Sequence, residues 1–232
     1  LQPAQRAMEV IPVIDAPAIR WIDRTFGDAV EWGGAVHGDR EAVVCGDVRL
    51  SFKQVVACVR AFARGLIDLG VAPGEKVALW MSDCPEWLVA RWAVPMIGAV
   101  LVPVNTRFRD KDVEYVLAQS ECTTLILQSA SRSTSYFDIL AKLVPDYRYQ
   151  LAGEWSAKAL PALRRVVGLD DAADVPRSMR RFQDIEARGA QLLAASGQGG
   201  DTVLAERVAA VRSGDIAQIL YTSGTTSFPK GA

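Results

Sequence analysis

Histidine is nearly missing from this sequence: His37 is the single one in 232 residues. Ser-His-Asp catalysis and most zinc centres draw on imidazole, so both lose their usual raw material. His37 itself, in "HGDR", reads as a solvent-side loop residue. Cysteine is scarce and scattered. Cys45, Cys58, Cys84 and Cys122 form no Cys-x-x-Cys pair, and three lie in apolar stretches, which favours buried thiols in a reducing compartment over disulfides or a metal site. Excess charge is lacking too, since 26 Lys and Arg against 27 Asp and Glu leave a net charge of −1. Bulk charge therefore gives no reason to expect nucleic acid or an anionic membrane as partner.

A long hydrophobic run is also absent. The most apolar window, residues 92–104, is interrupted by Pro95 and Pro103 and is too short to cross a bilayer. The first 20 residues carry Arg6, Glu9 and Asp15 and lack the continuous apolar core of a secretory leader. A cytoplasmic location with no transmembrane segment is expected. The chain opens with Leu1 rather than methionine, which leaves room for a preceding segment.

What is present is the material of a soluble globular core: 50% of residues are AVILMFWYC and 23% are charged. "AVVCG" and "VRLS", separated by Gly46-Asp47, predict a hairpin. Ser51 then opens a helix, with Gln54 completing a capping box. Val55, Val56, Val59, Phe62, Ala63, Leu66 and Leu69 follow at helical spacing until Gly70. "KVALWM", residues 76–81, has the continuous apolar run of a strand covered on both faces. Pro85 and Glu86 begin a second helix, which Pro95 should kink or end. "GAVLVPV" predicts the next strand, "DKDVEYVLAQS" a helix capped by Asp110, and "TTLILQ" another strand.

Three strand-helix units with buried-type strands argue for an α/β fold, a parallel-type sheet flanked by helices in layers. Ligands then belong at the carboxyl ends of the strands. After Gln128 the pattern loosens. "YFDILAKLV" predicts a helix, "RRVVGL" a short strand, and "AASGQGGD", residues 194–201, a linker. Trp80, Trp87 and Trp92 read as core or domain-contact aromatics, and "RSMRR" at 177–181 as a solvated basic face.

"DIAQILYTSGTTSFPKGA" predicts an apolar strand over residues 216–221 running straight into a hydroxyl-rich loop. In that context backbone N–H groups and a permissive glycine, Gly224, can wrap an anion. The hydroxyls of Thr222, Ser223, Thr225 and Thr226 can donate to phosphate oxygens, and Lys230 adds a positive point charge. A Walker A loop is excluded, because Pro229 precedes Lys230 where a glycine is required. Nucleotide phosphate binding is the chemistry implied.

"YTSGTTSFPKGA" closely resembles the phosphate-binding signature of the adenylate-forming, AMP-binding enzymes. "GDREAVVCGDVRLSFKQV" and the stretch from "LGVAPGEKVALWM" to "SECTTLI" fall in the order that acyl-CoA synthetases show, so the resemblance covers 36–128 and 213–232 well. It implies an ATP-dependent acyl-CoA synthetase for a fatty or other hydrophobic acid. The acid would attack the α-phosphate of ATP, pyrophosphate would leave, and coenzyme A would capture the acyl-adenylate. Thr222, Ser223, Gly224, Thr225, Thr226, Ser227 and Lys230 would hold the β- and γ-phosphates, with Ser227 standing where the family usually has glycine.

The same resemblance divides the chain into 1–35, an extension with the first helices, and 36–232, the first part of the large AMP-binding domain. The acyl site, the Mg2+-associated acid, the ribose aspartate and the adenylation lysine are expected past Ala232, in a longer enzyme of which this is the N-terminal piece. No catalytic residue and no metal ligand is therefore assigned. Two alternatives stand beside this reading: a naturally short, non-catalytic nucleotide-binding module of the same fold, and an amino-acid adenylation domain.

Overall fold

The computed structural model describes residues 23–169, 175–222 and 229–232. Thr25 opens helix α1 (Phe26–His37), its side chain and that of Asp28 capping each other's backbone N–H. The predicted hairpin follows as β1 (Glu41–Cys45) and β2 (Val48–Ser51), turning at Gly46 with φ of +57°. Ser51 and Gln54 form the expected capping box at the head of α2 (Phe52–Asp68). Then come β3 (Lys76–Trp80), α3 (Pro85–Met96) and β4 (Val100–Pro103). Pro95 falls in the last turn of α3, where a missing N–H donor ends the helix without kinking its middle.

The next helix, α4 (Asp110–Gln119), corrects the expected cap: Arg109 is the N-cap residue and Asp110 the first helical one. Asp112 accepts from the Arg109 N–H at 3.2 Å, leaving Asp110 free to pair with Lys142 at 2.8 Å. Strand β5 (Thr124–Leu127) leads to a small hairpin, β6 (Ala130–Ser131) and β7 (Thr134–Ser135), then α5 (Tyr136–Leu143). β8 (Arg165–Gly168), β9 (Arg180–Arg181), α6 (Phe182–Ala195), α7 (Thr202–Ala209), β10 (Tyr221–Thr222) and β11 (Lys230–Gly231) complete the order.

The central sheet is parallel throughout, in the order β4-β3-β5-β8-β9. Successive strand residues face opposite sides, and both sides are apolar. Val77, Leu79, Leu101, Ile126 and Val167 join the core under α2, α3 and α6. Ala78, Trp80, Val102, Leu125 and Leu127 join the core under α4 and α5. This double burial is why the strands read as unbroken hydrophobic runs. α2 and α6 pack most intimately, with the Phe62 and Phe182 rings stacked at 3.9 Å.

Three further expectations are revised. Residues 194–201 are no linker: α6 runs to Ala195, a 3-10 turn spans Gly197–Gly199, and Asp201 caps α7. The strand expected over 216–221 is reduced to one parallel bridge, Gln218 to Leu101 on the outer edge of β4, followed by β10. His37 is not in a loop but ends α1, its ring 4.7 Å from Phe52 and edge-on to Trp32 at 5.5 Å. No disulfide links the cysteines; Cys45 is exposed and Cys122 buried.

Candidate functional site

Of the residues assigned to phosphate binding, Thr222 and Lys230 are described, whereas Ser223, Gly224, Thr225, Thr226 and Ser227 lie outside the described residues. The two that are described face each other. β10 and β11 pair antiparallel with Thr222 opposite Lys230 and Tyr221 opposite Gly231, and the ladder continues as paired bonds between Leu220 and Ala232 at 2.9 and 3.0 Å. The chain from 223 to 229 is thereby closed at its base. Both Thr222 and Lys230 are exposed, so a hydroxyl and an ammonium reach solvent on the last described pair of the ladder.

The neck is fastened to the fold from two sides. Ala217 and Ile219 exchange backbone bonds with Leu101, each at 2.9 Å, which anchors the approach to the edge of β4. The Tyr221 hydroxyl donates to the Gln119 side chain at the end of α4, and Ile219 and Tyr221 pack on the core beneath that helix. Gly231 sits against the Tyr221 ring, where a Cβ would come within 3.1 Å. Burial pushes the Tyr221 phenol above its ordinary value.

A second site was not assigned from the sequence. β3 and β5 are neighbours, but β3 leads into α3 on one face and β5 towards α5 on the other. Parallel sheets open a crevice where neighbouring connections diverge in this way. Here it is a cavity of about 580 Å³, lined by Ser82 and Asp83 after β3, by Thr106, Arg107 and Arg109 after β4, and by Ser131, Arg132 and Thr134 after β5. Three guanidiniums against one carboxylate suit an anion whose paired oxygens, as in a carboxylate or a phosphate, can accept from one planar fork of donors.

The walls of this crevice are tied together. Arg109 donates to the Thr134 hydroxyl, and the Tyr136 hydroxyl donates to the Thr106 carbonyl at 3.3 Å. Tyr136 in turn stacks on Trp80 at 4.0 Å in the buried core, and its burial raises the phenol above its ordinary value. Arg132 has φ of +52°, a left-handed conformation that favours glycine, at the turn between β6 and β7. The tight turn from Ser131 to Thr134 calls for such a φ.

The signal for this crevice was present as "NTRFR" and "SASRSTS". Which strand ends adjoin, however, depends on strand order, which no local pattern carries. Thr222 and Lys230 do not line it. Among the described residues no group of three or more His, Cys, Asp or Glu could hold a metal ion, and no helix is long and apolar enough to cross a membrane.

The model of the AMP-binding enzyme family matches residues 30–232. Among curated proteins, YngI of Bacillus subtilis is 34% identical over 212 residues, covering 90% of this chain and 37% of the relative. The medium-chain acyl-CoA ligase ACSF2, mitochondrial, of Mus musculus is 27% identical over 213 residues, covering 91% and 33%. Among solved structures, the anthranilate CoA ligase AuaEII in complex with anthranoyl-AMP superposes with a TM-score of 0.67 at 23% identity, covering 90% of this chain and 34% of that one. This chain thus spans about a third of the length of the relatives it matches.

Proposed function

We propose, because this chain belongs to the AMP-binding enzyme family, that it works as part of an ATP-dependent acyl-CoA synthetase. The reaction would join a fatty or other hydrophobic carboxylic acid to coenzyme A through an acyl-adenylate, releasing AMP and pyrophosphate. The observation that carries the reading is the closed neck of the hydroxyl loop, with Thr222 opposite Lys230.

Thr222, Ser223, Gly224, Thr225, Thr226, Ser227 and Lys230 would hold the β- and γ-phosphates of ATP. Lys230 would offset charge that grows on the departing pyrophosphate, the electrostatic role expected of such a loop. A neck pinned on both strands lets ATP bind without first bringing the loop ends together, which lowers the ordering cost of binding. Magnesium would enter with ATP, and no ligand for it is assigned among the described residues. Residues 36–232 would be the first part of the large nucleotide-binding domain, preceded by an extension over 1–35, in a cytoplasmic enzyme.

The arginine-lined crevice is assigned here to the phosphates of coenzyme A, with Arg107, Arg109 and Arg132 as donors. Its chemistry supports that use: three fixed-charge, fork-shaped donors at a parallel-sheet crevice. It also favours coenzyme A over a carrier protein as acceptor, because a carrier-borne thiol brings no nucleotide phosphates to such a pocket.

The test is pyrophosphate exchange into ATP by the complete gene product, run with a panel of carboxylic acids. Exchange that depends on a hydrophobic acid, followed by thioester formation only with coenzyme A, is expected. Exchange with amino acids alone would replace this reading by an amino-acid adenylation domain. ATP binding with no exchange, in a gene product of 25.2 kDa, would replace it by a non-catalytic module.

A further inference from the structure

Gln128 lies one residue past the end of β5, where it is 8% exposed. Its side-chain amide is used from both ends. Oε1 accepts from the Ser82 backbone N–H at 2.6 Å, while Nε2 donates to the Ala130 carbonyl and lies 3.5 Å from the Ser82 hydroxyl. The hydroxyls of Ser82 and Ser131 then share a hydrogen bond of 2.6 Å.

These contacts fall where the backbone ladder gives out. The last backbone bond between the two strands' ends, from the Gln128 N–H to the Trp80 carbonyl, is already stretched to 3.4 Å. Beyond it one connection turns towards α3 and the other towards α5. A primary amide offers an acceptor to the Ser82 N–H and a donor to the Ala130 carbonyl at the same time, from two separate atoms. A carboxylate would set an acceptor against the Ala130 carbonyl, and an apolar side chain would leave buried groups unpaired, which is costly.

We propose that Gln128 is a positioning residue for the crevice: by fastening the Ser82–Asp83 wall to the Ser131–Arg132 wall, it sets the spacing at which Arg132 meets an anion held between them. The inference rests on the reading that the crevice takes the phosphates of coenzyme A. Gln128 touches no reacting atom. Its effect passes through Ser82 and Ser131 to the arginine on the β6–β7 turn.

The experiment is steady-state kinetics of the complete gene product carrying Gln128→Met, Gln128→Glu, Ser131→Ala or Arg132→Ala, with pyrophosphate exchange measured separately. Gln128→Met should raise the KM for coenzyme A about tenfold, the scale of one net hydrogen bond. Its kcat and its exchange rate, which involves no coenzyme A, should stay within about twofold of wild type on the same scale. Gln128→Glu, which keeps the acceptor for Ser82 but sets a charge against the Ala130 carbonyl, should show a rise of the same kind, and Ser131→Ala, which removes the bond to the Ser82 hydroxyl, a smaller one. They carry the test should the methionine variant fail to fold. If Arg132→Ala raises the KM for coenzyme A while the Gln128 and Ser131 variants do not, Gln128 is no positioning residue and the inference fails alone. If Arg132→Ala leaves that KM unchanged, the coenzyme A reading of the crevice fails and the inference goes with it.

Discussion

Arg64, on α2, donates from Nε to Oδ2 of Asp201 at 2.9 Å, with 10% and 6% of the two side chains exposed. Asp201 also accepts from the Leu204 N–H at 2.8 Å, so one carboxylate both caps α7 and neutralises a buried guanidinium. Burial alone would raise the Asp201 pKa, but the bonds from Leu204 and Arg64 outweigh it and hold the carboxyl below its ordinary value.

A depressed carboxylate pKa stabilises the fold above the unfolded value, about 3.9, and that contribution is lost as pH falls through the lowered folded value. Asp201→Ala should cost about 2–4 kcal/mol, because it leaves Arg64 without its closest carboxylate in a buried setting. Asp201→Asn keeps the cap and loses the charge, so it should flatten the acid limb of the stability profile. Thermal unfolding between pH 3 and 7 checks both. An unchanged acid limb in Asp201→Asn would deny the pair its role.

Gly189 and Gly65 should invert the usual helix-propensity rule. Alanine in a helix interior normally gains about 1 kcal/mol over glycine. Here a Cβ on Gly189 would lie 1.8 Å from the Ala61 carbonyl oxygen, and one on Gly65 2.2 Å from that of Ile185. Either alanine would have to push α2 and α6 apart, and each should destabilise by about 1–3 kcal/mol on denaturant unfolding.

Lys230→Ala should lower kcat/KM for ATP in pyrophosphate exchange by about 10- to 100-fold, the scale of one charge-assisted hydrogen bond. Lys230→Arg should recover only part of it, since the planar fork does not present charge as a compact ammonium does. Exchange unchanged in Lys230→Ala would remove the lysine from the phosphate site.

The four cysteines should separate cleanly by reactivity. Cys45 is exposed at the end of β1, whereas burial pushes the Cys58 thiol up to about 11 and those of Cys84 and Cys122 to about 12. A thiol reagent at pH 8 should label Cys45 rapidly, the half-buried Cys58 and Cys84 more slowly, and the buried Cys122 only after unfolding, as peptide mapping would show.

The elements that local chemistry decides were legible in the sequence. Ser51 with Gln54, and Pro85 with Glu86, specify helix starts through bonds and ring geometry that span only a few residues, and the doubly buried strands announce themselves as apolar runs. What depended on distant partners was not. Asp201 looked like linker because its cap and its arginine lie on different helices. His37 looked exposed because the Phe52 ring that covers it comes from α2. The hydroxyl loop was visible as a motif, but the crevice was not, since Arg107 and Arg132 share a pocket only through the strand order.

The bridge from Gln218 to Leu101 also bears on how the protein comes into being. During synthesis β4 emerges long before residue 218, so its outer edge waits unpaired while the rest of the sheet forms. Non-local pairings of this kind form late, and a waiting edge invites wrong partners. The segment that finally occupies it is the one that leads into the hydroxyl loop. The loop's neck therefore gains its anchor only after the sheet has admitted its last member, and a nascent chain arrested before that point would carry the arginine crevice but no moored hydroxyl-rich segment.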